Sequence, residues 1–261
     1  MRQTKERSSV AHHLLHLSEE VFMAGIYSVV SGAAAEEKRL GFISNNLANA
    51  LTTGYKSSSP VFEAILSSSI IDTDQADSTF VATYDSHTNF AQGPLIESGN
   101  KLDVALQGDG FFVIQTAQGN RYTRNGQFAL DATGKLVTHD GNTVAGETGD
   151  IIANGKQISI EKDGSVFVDK VSVGKLKIIR FATKENLHPV GNSLFENVNP
   201  ADQELPATNC SVNQGYHEGS NVDVLKEMID MIACTRAYEA YGKVQQAFGD
   251  MDSKLQEAAR V

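Results

Sequence analysis

Hydrophobic residues recur every three or four positions near the start of the chain. Between Met23 and about Asn49 they follow a heptad spacing, with a second apolar position inside each repeat. The alanines at 33–35 favour a helix, and the acidic pair Glu36 and Glu37 precedes two basic residues on its polar side. The pattern therefore predicts a helix with one narrow apolar face, formed by Ile26, Val29, Ala33, Leu40, Ile43 and Leu47.

The same kind of pattern returns at the end of the chain. Apolar residues alternate in steps of three and four between residues 231 and 258. Ser220 or Asn221 is the expected cap of this helix, and Asp223 would lie in its first turn, where a negative charge is favourable. We expect this helix to pair with the first one through a stripe that includes Met231, Tyr238, Tyr241, Phe248, Met251 and Leu255.

A polar segment comes directly after the first helical pattern. Residues 44–56 read SNNLANALTTGYK, so the helix runs into an exit rich in asparagine that contains Gly54. This exit does not resemble the loop of an enzyme, and it indicates assembly. We therefore add Asn46 and Asn49 to the predicted assembly interface.

Between residues 92 and 216 the pattern becomes that of β-strands. Short runs of Val, Ile and Phe are separated by Gly, Asn and Asp. Asn-Gly and Asp-Gly pairs are strong hairpin signals, and here they begin at Asp109, Asn125, Asp140, Asn154 and Asp163. The predicted fold class is α+β: N- and C-terminal helices that pair as a coiled-coil-like segment and flank a mainly antiparallel, β-rich central domain.

These changes of pattern divide the chain into five segments. The first 22 residues differ in texture from the residues that begin at Met23, and we favour a mis-called start before Met23 over a natural short extension. The expected segments are 1–22, the extension; 23–57, the N-terminal helix and its exit; 58–91, a semi-ordered connector; 92–216, the β-rich domain; and 217–261, the C-terminal helix.

Composition excludes several classes of function. The net charge is −10, with 22 basic and 32 acidic residues, whereas a nucleic-acid-binding protein would carry a basic stripe. No apolar run approaches the roughly 20 residues that span a bilayer, and the first residues do not form an ordinary signal peptide. Cys210 and Cys234 form no CxxC pair, and Cys234 falls on the apolar stripe, so we expect a packed thiol and not a disulfide.

Candidate catalytic or metal-binding residues have simpler explanations. The glycines on either side of Asp109 lack the third glycine of a phosphate loop. Asp103 and Asp109 could form a hydrolase couple, but Asp109 is better explained as a turn residue. Three histidines of the extension have no cysteine or paired carboxylate near them: His12, His13 and His16. We therefore expect a protein that is not an enzyme, with no cofactor, no metal and no small-molecule substrate.

Three blocks of the chain resemble a known family, the bacterial flagellar rod and hook subunits. SNNLANALTTGYK resembles the N-terminal signature of that family, although Ala50, Leu51 and Tyr55 replace more usual residues. GPLIESGNKLDVALQGDGFFVIQ, followed by YTRNGQFALDATGKLVTHDGNTVAG, resembles the β body shared by the axial proteins. QGYHEGSNVDVLKEMIDMIACTRAYEAYGKVQQAFGDMDSKL resembles the C-terminal signature, with His217 and Asp223 in less usual places.

The resemblance implies a structural subunit of the flagellar basal-body rod, needed for motility. It implies export through the flagellar type III apparatus and assembly in the periplasmic space, with other axial subunits and further copies of the chain as partners. The opening block GIYSVVSGAAAEEKRL and the closing block RAYEAY are more similar to proximal-rod than to distal-rod subunits. The alternatives are a distal-rod subunit and, in another class, a secreted β-rich binding module or adhesin with the helices as its stalk.

An apolar stripe on a single helix cannot bury itself. We therefore expect residues 23–50 and 221–258 to be largely disordered in the monomer and to form an antiparallel or splayed helical pair on assembly. Subunits that repeat one non-closing contact build a helical tube and not a ring.

Overall fold

The computed structural model describes the backbone of residues 2–66 and 79–259, and the side chains of 25–62, 86–254 and 257. The chain divides into two compact units. The helical unit contains Met1–Asn45, Ser59–His87 and Leu225–Val261, and the β unit contains Asn46–Ser58 and Thr88–Val224. Two terminal helices and a largely antiparallel β-rich centre confirm this part of the expected fold class.

The first helix, α1, spans Arg2–Ala48, and the second, α2, spans Val224–Ala259. The backbone of α1 continues through Met23 without a break. The extension is therefore part of the same helix, although the sequence pattern changes at Met23. The expected connector contains strands β1 (Ser58–Leu66) and β2 (Thr79–Thr88), which pair with each other. Their sequences contain Val, Phe, Tyr and Thr, which favour strands. This preference outweighs the polar serines, which are typical of a semi-ordered connector.

The remaining strands all belong to the β unit. All of them are short, at two to six residues, as expected for a body built from turns. They are β3 (Leu95–Glu97), β4 (Val104–Gly108), β5 (Phe111–Thr116), β6 (Gly119–Thr123), β7 (Phe128–Leu130), β8 (Leu136–Thr138), β9 (Thr143–Val144), β10 (Ile158–Ile160), β11 (Ser165–Val168), β12 (Val171–Lys175), β13 (Ile178–Arg180), β14 (Leu187–Gly191), β15 (Leu194–Asn197), β16 (Leu205–Pro206), β17 (Cys210–Gln214) and β18 (Tyr216–Glu218). A 3₁₀ turn, Lys184–Asn186, precedes β14.

One large sheet dominates the β unit. Its strand order is β14-β15-β6-β5-β9-β8-β7, and β13 joins β5 and also pairs with β16. A three-stranded sheet, β10-β11-β12, and two pairs, β17-β4 and β18-β3, complete the unit. The last two pairs join strands that are far apart in sequence, since Cys210 lies opposite Gly108 and Tyr216 opposite Glu97. The last two strands, β17 and β18, therefore pair with the first two strands of the β unit.

Two of the five predicted turns join strands that pair with each other. Asp140-Gly141 joins the paired strands β8 and β9, and Asp163-Gly164 joins β10 and β11. The pairs that begin at Asp109, Asn125 and Asn154 connect strands that pair elsewhere. Gly126, which follows Asn125, allows a close approach of the backbone instead. A Cβ at this position would lie 1.7 Å from the carbonyl oxygen of Val104.

Two core clusters fill the β unit from opposite faces of β5. Phe111 and Phe112 are both 0% exposed, and as neighbours in a strand they point to opposite sides. Phe112 packs in the cluster of Ile114, and its ring meets that of Phe128 edge-on at 5.1 Å between centroids. Phe111 packs in the second cluster, with Phe195. The central sheet is therefore buried on both faces.

Candidate assembly interface

Within the helical unit, α1 and α2 contact each other along one face and run antiparallel. The guanidinium of Arg39 lies 3.9 Å from the carboxylate of Asp230. Further along the pair, the thiol of Cys234 donates a hydrogen bond to the carbonyl oxygen of Glu36 at 3.1 Å. The residue numbers of the contacts thus decrease along α1 as they increase along α2, as expected for antiparallel helices.

Two glycines of α1 allow aromatic rings of α2 to approach closely. A Cβ placed on Gly32 would lie 2.7 Å from Cζ of Tyr241, which is closer than real atoms come. A Cβ on Gly25 would meet the ring of Phe248 at 3.4 Å, an ordinary contact. Of these two glycines, Gly32 is therefore the one at which the helix pair is more sensitive to added volume.

Cys234 is the most buried side chain of α2 among those that the structure describes. Its side chain is 1% exposed, and burial, followed by the hydrogen bond to Glu36, raises its pKa to about 11. A thiol with a raised pKa stays protonated and unreactive near neutral pH. This agrees with the packed thiol expected from the sequence.

The face of α1 that meets α2 is rotated from the predicted seam. It is centred on Gly25, Gly32 and Arg39, one residue earlier in the heptad than Ala33 and Leu40. Among the predicted residues, Ile43 is buried; Ile26, Val29, Ala33, Leu40, Leu47, Asn49, Met231, Tyr241 and Phe248 are half-buried; Tyr238 and Met251 are exposed. The side chain of Leu255 lies outside the described residues.

Asn46 is buried within the β unit, where it holds the exit of α1. Its Oδ1 accepts hydrogen bonds from the backbone N–H of Ser58 at 3.0 Å and from the hydroxyl of Tyr55 at 3.1 Å. Its Nδ2 donates to the carbonyl oxygen of Ser58 at 2.9 Å. Asn49 accepts a hydrogen bond from the hydroxyl of Thr52 at 3.2 Å. The two asparagines therefore shape the exit segment.

Three charged residues form a buried charge cluster in the β unit: Lys56, Arg124 and Glu218. Nζ of Lys56 donates to Oε1 of Glu218 at 2.5 Å, and Nη1 of Arg124 donates to Oε2 at 3.3 Å. The backbone N–H of Gly93 donates to Oε1 at 2.9 Å. The three side chains are 0–3% exposed. One carboxylate thus joins segments that are distant in sequence.

Each charge in the cluster has further partners. Lys56 also donates to the carbonyl oxygen of Ala91 at 2.7 Å, and Arg124 donates to that of Gly108 at 2.7 Å and lies over the ring of Phe111. Burial lowers the pKa of Lys56 from its usual 10.5, and the carboxylate of Glu218 offsets only part of this effect. Such a cluster tolerates the loss of a partner poorly.

Asn221 bridges the same segments and does not cap α2. Its Oδ1 accepts from the backbone N–H of Ser57 at 2.8 Å, and its Nδ2 donates to the carbonyl oxygens of Asn89 at 2.7 Å and Ala91 at 3.0 Å. The helix begins three residues later, at Val224, so Asp223 precedes the helix and does not lie in its first turn as predicted. Side-chain bonds to other segments outweigh the capping preference of asparagine at this position.

The sequence did not single out Lys56, Arg124 or Glu218, and it indicated Asn221 only as a helix cap. The available signal was their position, because all four lie inside the blocks that resemble the family signatures. The candidate catalytic acids have structural partners instead. Asp103 accepts a hydrogen bond from Asn100 at 2.9 Å, and Asp109 lies 2.9 Å from the ammonium of Lys184.

Among the residues that the structure describes, no three or more metal-binding side chains come together. The side chains of His12, His13 and His16 lie outside that part of the chain. No described helix is both long enough and apolar enough to cross a membrane.

Family models match three successive regions of the chain. Residues 26–56 match the flagella basal body rod protein family. Residues 105–168 match the D1 domain of the flagellar hook protein FlgE/F/G, and residues 213–258 match the C-terminal region of the flagellar basal body rod FlgEFG protein. The three matches include the second half of α1 with its exit, part of the β unit and nearly all of α2. They define a structural protein of the flagellar axis.

Full-length relatives narrow this class. The chain is 35% identical to the flagellar basal-body rod protein FlgG of Buchnera aphidicola subsp. Schizaphis graminum, over 86% of this chain and 95% of that protein. It is 31% identical to FlgF of Caulobacter vibrioides, over 84% of this chain and 91% of that protein. It is 32% identical to FlgG of Bacillus subtilis, over 85% and 94%. The chain belongs to the flagellar basal-body rod protein family, whose members are structural subunits and not enzymes.

Proposed function

We propose that the chain is a proximal-rod subunit, which builds the axial drive shaft between the inner-membrane export apparatus and the hook. The relatives include FlgG and FlgF proteins at similar identity, so overall identity does not decide between the distal and proximal rod. The proximal assignment rests on the opening and closing helical blocks of the sequence. Rod subunits assemble with other axial subunits, and this one would also contact its own copies in the periplasmic space after type III export.

The observation that supports assembly through the terminal helices is the exposure of their apolar residues. Leu225 is 74% exposed and Ile229 is 67% exposed, although both lie on a helix that already packs against α1. Coiled-coil-like pairing of α1 and α2 would bury the inner faces, and neighbouring subunits would bury the rest. A heterologous contact of this kind repeats into a tube.

The position in the rod is tested by composition. Hook–basal-body particles would be purified from the source cell, and this protein would be quantified by mass spectrometry against the other axial subunits. A small fixed ratio supports the proximal rod, and a larger ratio supports the distal rod. Absence from the particles contradicts a rod subunit and favours the secreted binding module.

The role of the helices is tested with Leu47→Asp and Phe248→Asp. Both variants place a charge on a predicted interface residue, so neither should enter the rod, while near-ultraviolet circular dichroism should show a folded β unit. Gln246→Asp is the matched control, because Gln246 is exposed on another face of α2. Normal incorporation of both interface variants would contradict assembly through the helices.

We further propose that the helices become ordered only on assembly, and the two cysteines can report this. Burial raises the pKa of Cys234 from 9.0 to about 11, so at pH 9 the thiol should react slowly when the helices are paired and quickly when they are not. We expect fast labelling of Cys234 in the monomer and slow labelling in rods. Cys210, in β17, should react at the same rate in the monomer and in rods. Equal protection of Cys234 in monomer and rod would contradict ordering on assembly.

A further inference from the structure

Two Asn-Gly pairs lie in the β unit, and the structure holds them differently. They are Asn125-Gly126 and Asn154-Gly155. An asparagine followed by glycine loses its side-chain amide readily, because glycine has no Cβ to shield the backbone nitrogen that follows the asparagine. The reacting groups of the two pairs are identical, so a difference in their reactivity would come from the fold around them.

The pair Asn125-Gly126 is clamped by neighbouring backbone. A Cβ on Gly54 would lie 2.4 Å from the backbone nitrogen of Asn125, and a Cβ on Gly126 would lie 1.7 Å from the carbonyl oxygen of Val104. The backbone N–H of Val104 also donates to the carbonyl oxygen of Gly126 at 2.9 Å. The side chain of Asn125 is held as well, since its Oδ1 accepts a hydrogen bond from the backbone N–H of Gln127 at 3.0 Å. The backbone of this pair therefore has no room to turn.

The pair Asn154-Gly155 lies on the surface, in the segment between β9 and β10. Both residues are exposed. One hydrogen bond holds the side chain of Asn154, whose Nδ2 donates to the carbonyl oxygen of Thr133 at 3.1 Å. The segment is fixed on either side of the pair, because the backbone N–H groups of Ala153 and Gln157 both donate hydrogen bonds within the β unit. A reaction at this pair would therefore leave the neighbouring contacts in place.

We propose that Asn154 is a site of spontaneous deamidation in the folded protein, and that the fold protects Asn125 from the same reaction. The backbone nitrogen of Gly155 attacks Cγ of Asn154, and the bond between Cγ and Nδ2 breaks. Ammonia leaves with the proton of the attacking N–H, and a five-membered succinimide ring remains. Water then opens the ring at either carbonyl to give aspartate or isoaspartate. Water is the only co-reactant, and no group is oxidised or reduced.

The two sites differ in what ring closure requires. The backbone must turn at the asparagine so that the following nitrogen reaches Cγ. At Asn154 this breaks one exposed hydrogen bond. At Asn125 it requires a local opening of the β unit, and a local opening that is populated to about a tenth or less slows the reaction at least about tenfold.

The product changes a contact of the turn that precedes β8. A carboxylate at residue 154 has no N–H to donate, so the hydrogen bond to the carbonyl oxygen of Thr133 is lost. Isoaspartate in addition lengthens the main chain by a methylene group. Because the reaction needs only water, the modified fraction increases with the age of the chain.

Peptide mapping of the full-length chain by mass spectrometry tests the proposal. The purified protein would be incubated at mildly alkaline pH, and the change of mass from amide to carboxylate would be followed at Asn125 and Asn154 in the same samples. We expect Asn154 to react at least about tenfold faster than Asn125. Protein isoaspartyl methyltransferase with a labelled methyl donor would identify isoaspartate in the peptide that contains residue 154.

Two controls separate the fold from the local chemistry. In urea both pairs are unfolded, so the two asparagines should react at similar rates. Asn154→Gln keeps a side-chain amide but would have to close a less favourable six-membered ring. This variant should lose the isoaspartate signal at residue 154, while near-ultraviolet circular dichroism should show a folded β unit.

Three results would overturn the inference. The first is an absence of reaction at Asn154 in the folded chain. The second is a reaction at Asn125 that is as fast as at Asn154 or faster. The third is the same ratio of the two rates in urea as in the folded chain, which would mean that the fold does not protect Asn125. None of these results bears on the position of the chain in the rod, so the proposed function is tested separately.

Discussion

The two units of the molecule treat their apolar residues in opposite ways. In the β unit, Phe111 and Phe112 are 0% exposed, and two core clusters fill both faces of β5. In the helical unit, Ile229 is 67% exposed and Tyr27 is 51% exposed. Large exposed apolar surfaces in soluble proteins usually mark interaction sites. The β unit therefore buries a core within one chain, whereas the helices leave large apolar residues exposed, which supports their proposed role in assembly.

The sharpest test of this contrast is Phe112→Ala. The side chain is fully buried and contacts Phe128, so its removal should cost about 3–5 kcal/mol of unfolding free energy through lost contacts and a cavity. Urea denaturation followed by near-ultraviolet circular dichroism measures this loss. A loss below about 1 kcal/mol, the usual scale of an average substitution, would mean that the β unit is not a self-contained core.

Glu218→Ala should have an effect of similar size. It leaves Lys56 and Arg124 buried without their carboxylate, and breaking a buried ion pair in this way costs about 3–5 kcal/mol. The same urea titration measures it. As a control, Glu147→Ala removes a carboxylate whose ion pair with Lys175 is about half-exposed, and such pairs contribute about 0–1 kcal/mol. Equal effects of the two variants would show that the buried charge cluster is not a special anchor.

Gly32→Val should have a moderate effect that is confined to the helical unit. The new side chain would push against the ring of Tyr241, and overpacking of this kind costs about 1–3 kcal/mol. Far-ultraviolet circular dichroism of assembled rods during heating should show weaker helix pairing. Gly242→Val, which has open space, controls for the change in helix propensity. Identical melting of the two variants would contradict the close approach at Gly32.

The smallest effect is expected for Ile229→Ala in the isolated chain. The side chain is already 67% exposed, so its truncation should change the unfolding free energy by no more than about 0.5 kcal/mol. Chemical denaturation of the monomer measures this change. A loss comparable to that of Phe112→Ala would mean that Ile229 is buried within its own chain. The contrast between the two units would then be wrong.

The sequence predicted those elements whose signal is local. The helices and the β-rich centre followed from periodicity, and Asp140-Gly141 followed from turn chemistry. Two tight hairpin turns had no such signal, because Asp169-Lys170 and Asn192-Ser193 adopt positive φ angles without glycine. In these turns the pairing of the flanking strands fixes the backbone, and this outweighs the local preference of each residue.

Features that depend on distant partners could not be predicted. The close approach of the two helices could not be predicted, since a pattern of bulky residues cannot show that Gly32 makes room for Tyr241. The pairing of Lys56 with Glu218 could not be predicted from periodicity, because a single charged residue does not show which distant residue it contacts. The predicted roles of the interface residues in assembly remain predictions until rods are analysed.

The separation between Lys56 and Glu218, 162 residues, has a consequence for the order of events in the cell. Synthesis proceeds from the N-terminus, so Lys56 is made long before its carboxylate partner. Strand β4 must likewise wait for β17, whose residues begin at Cys210. A topology with such distant pairings folds slowly, since the loops must close before the contacts form. A nascent chain therefore cannot complete its β unit until most of it has been translated.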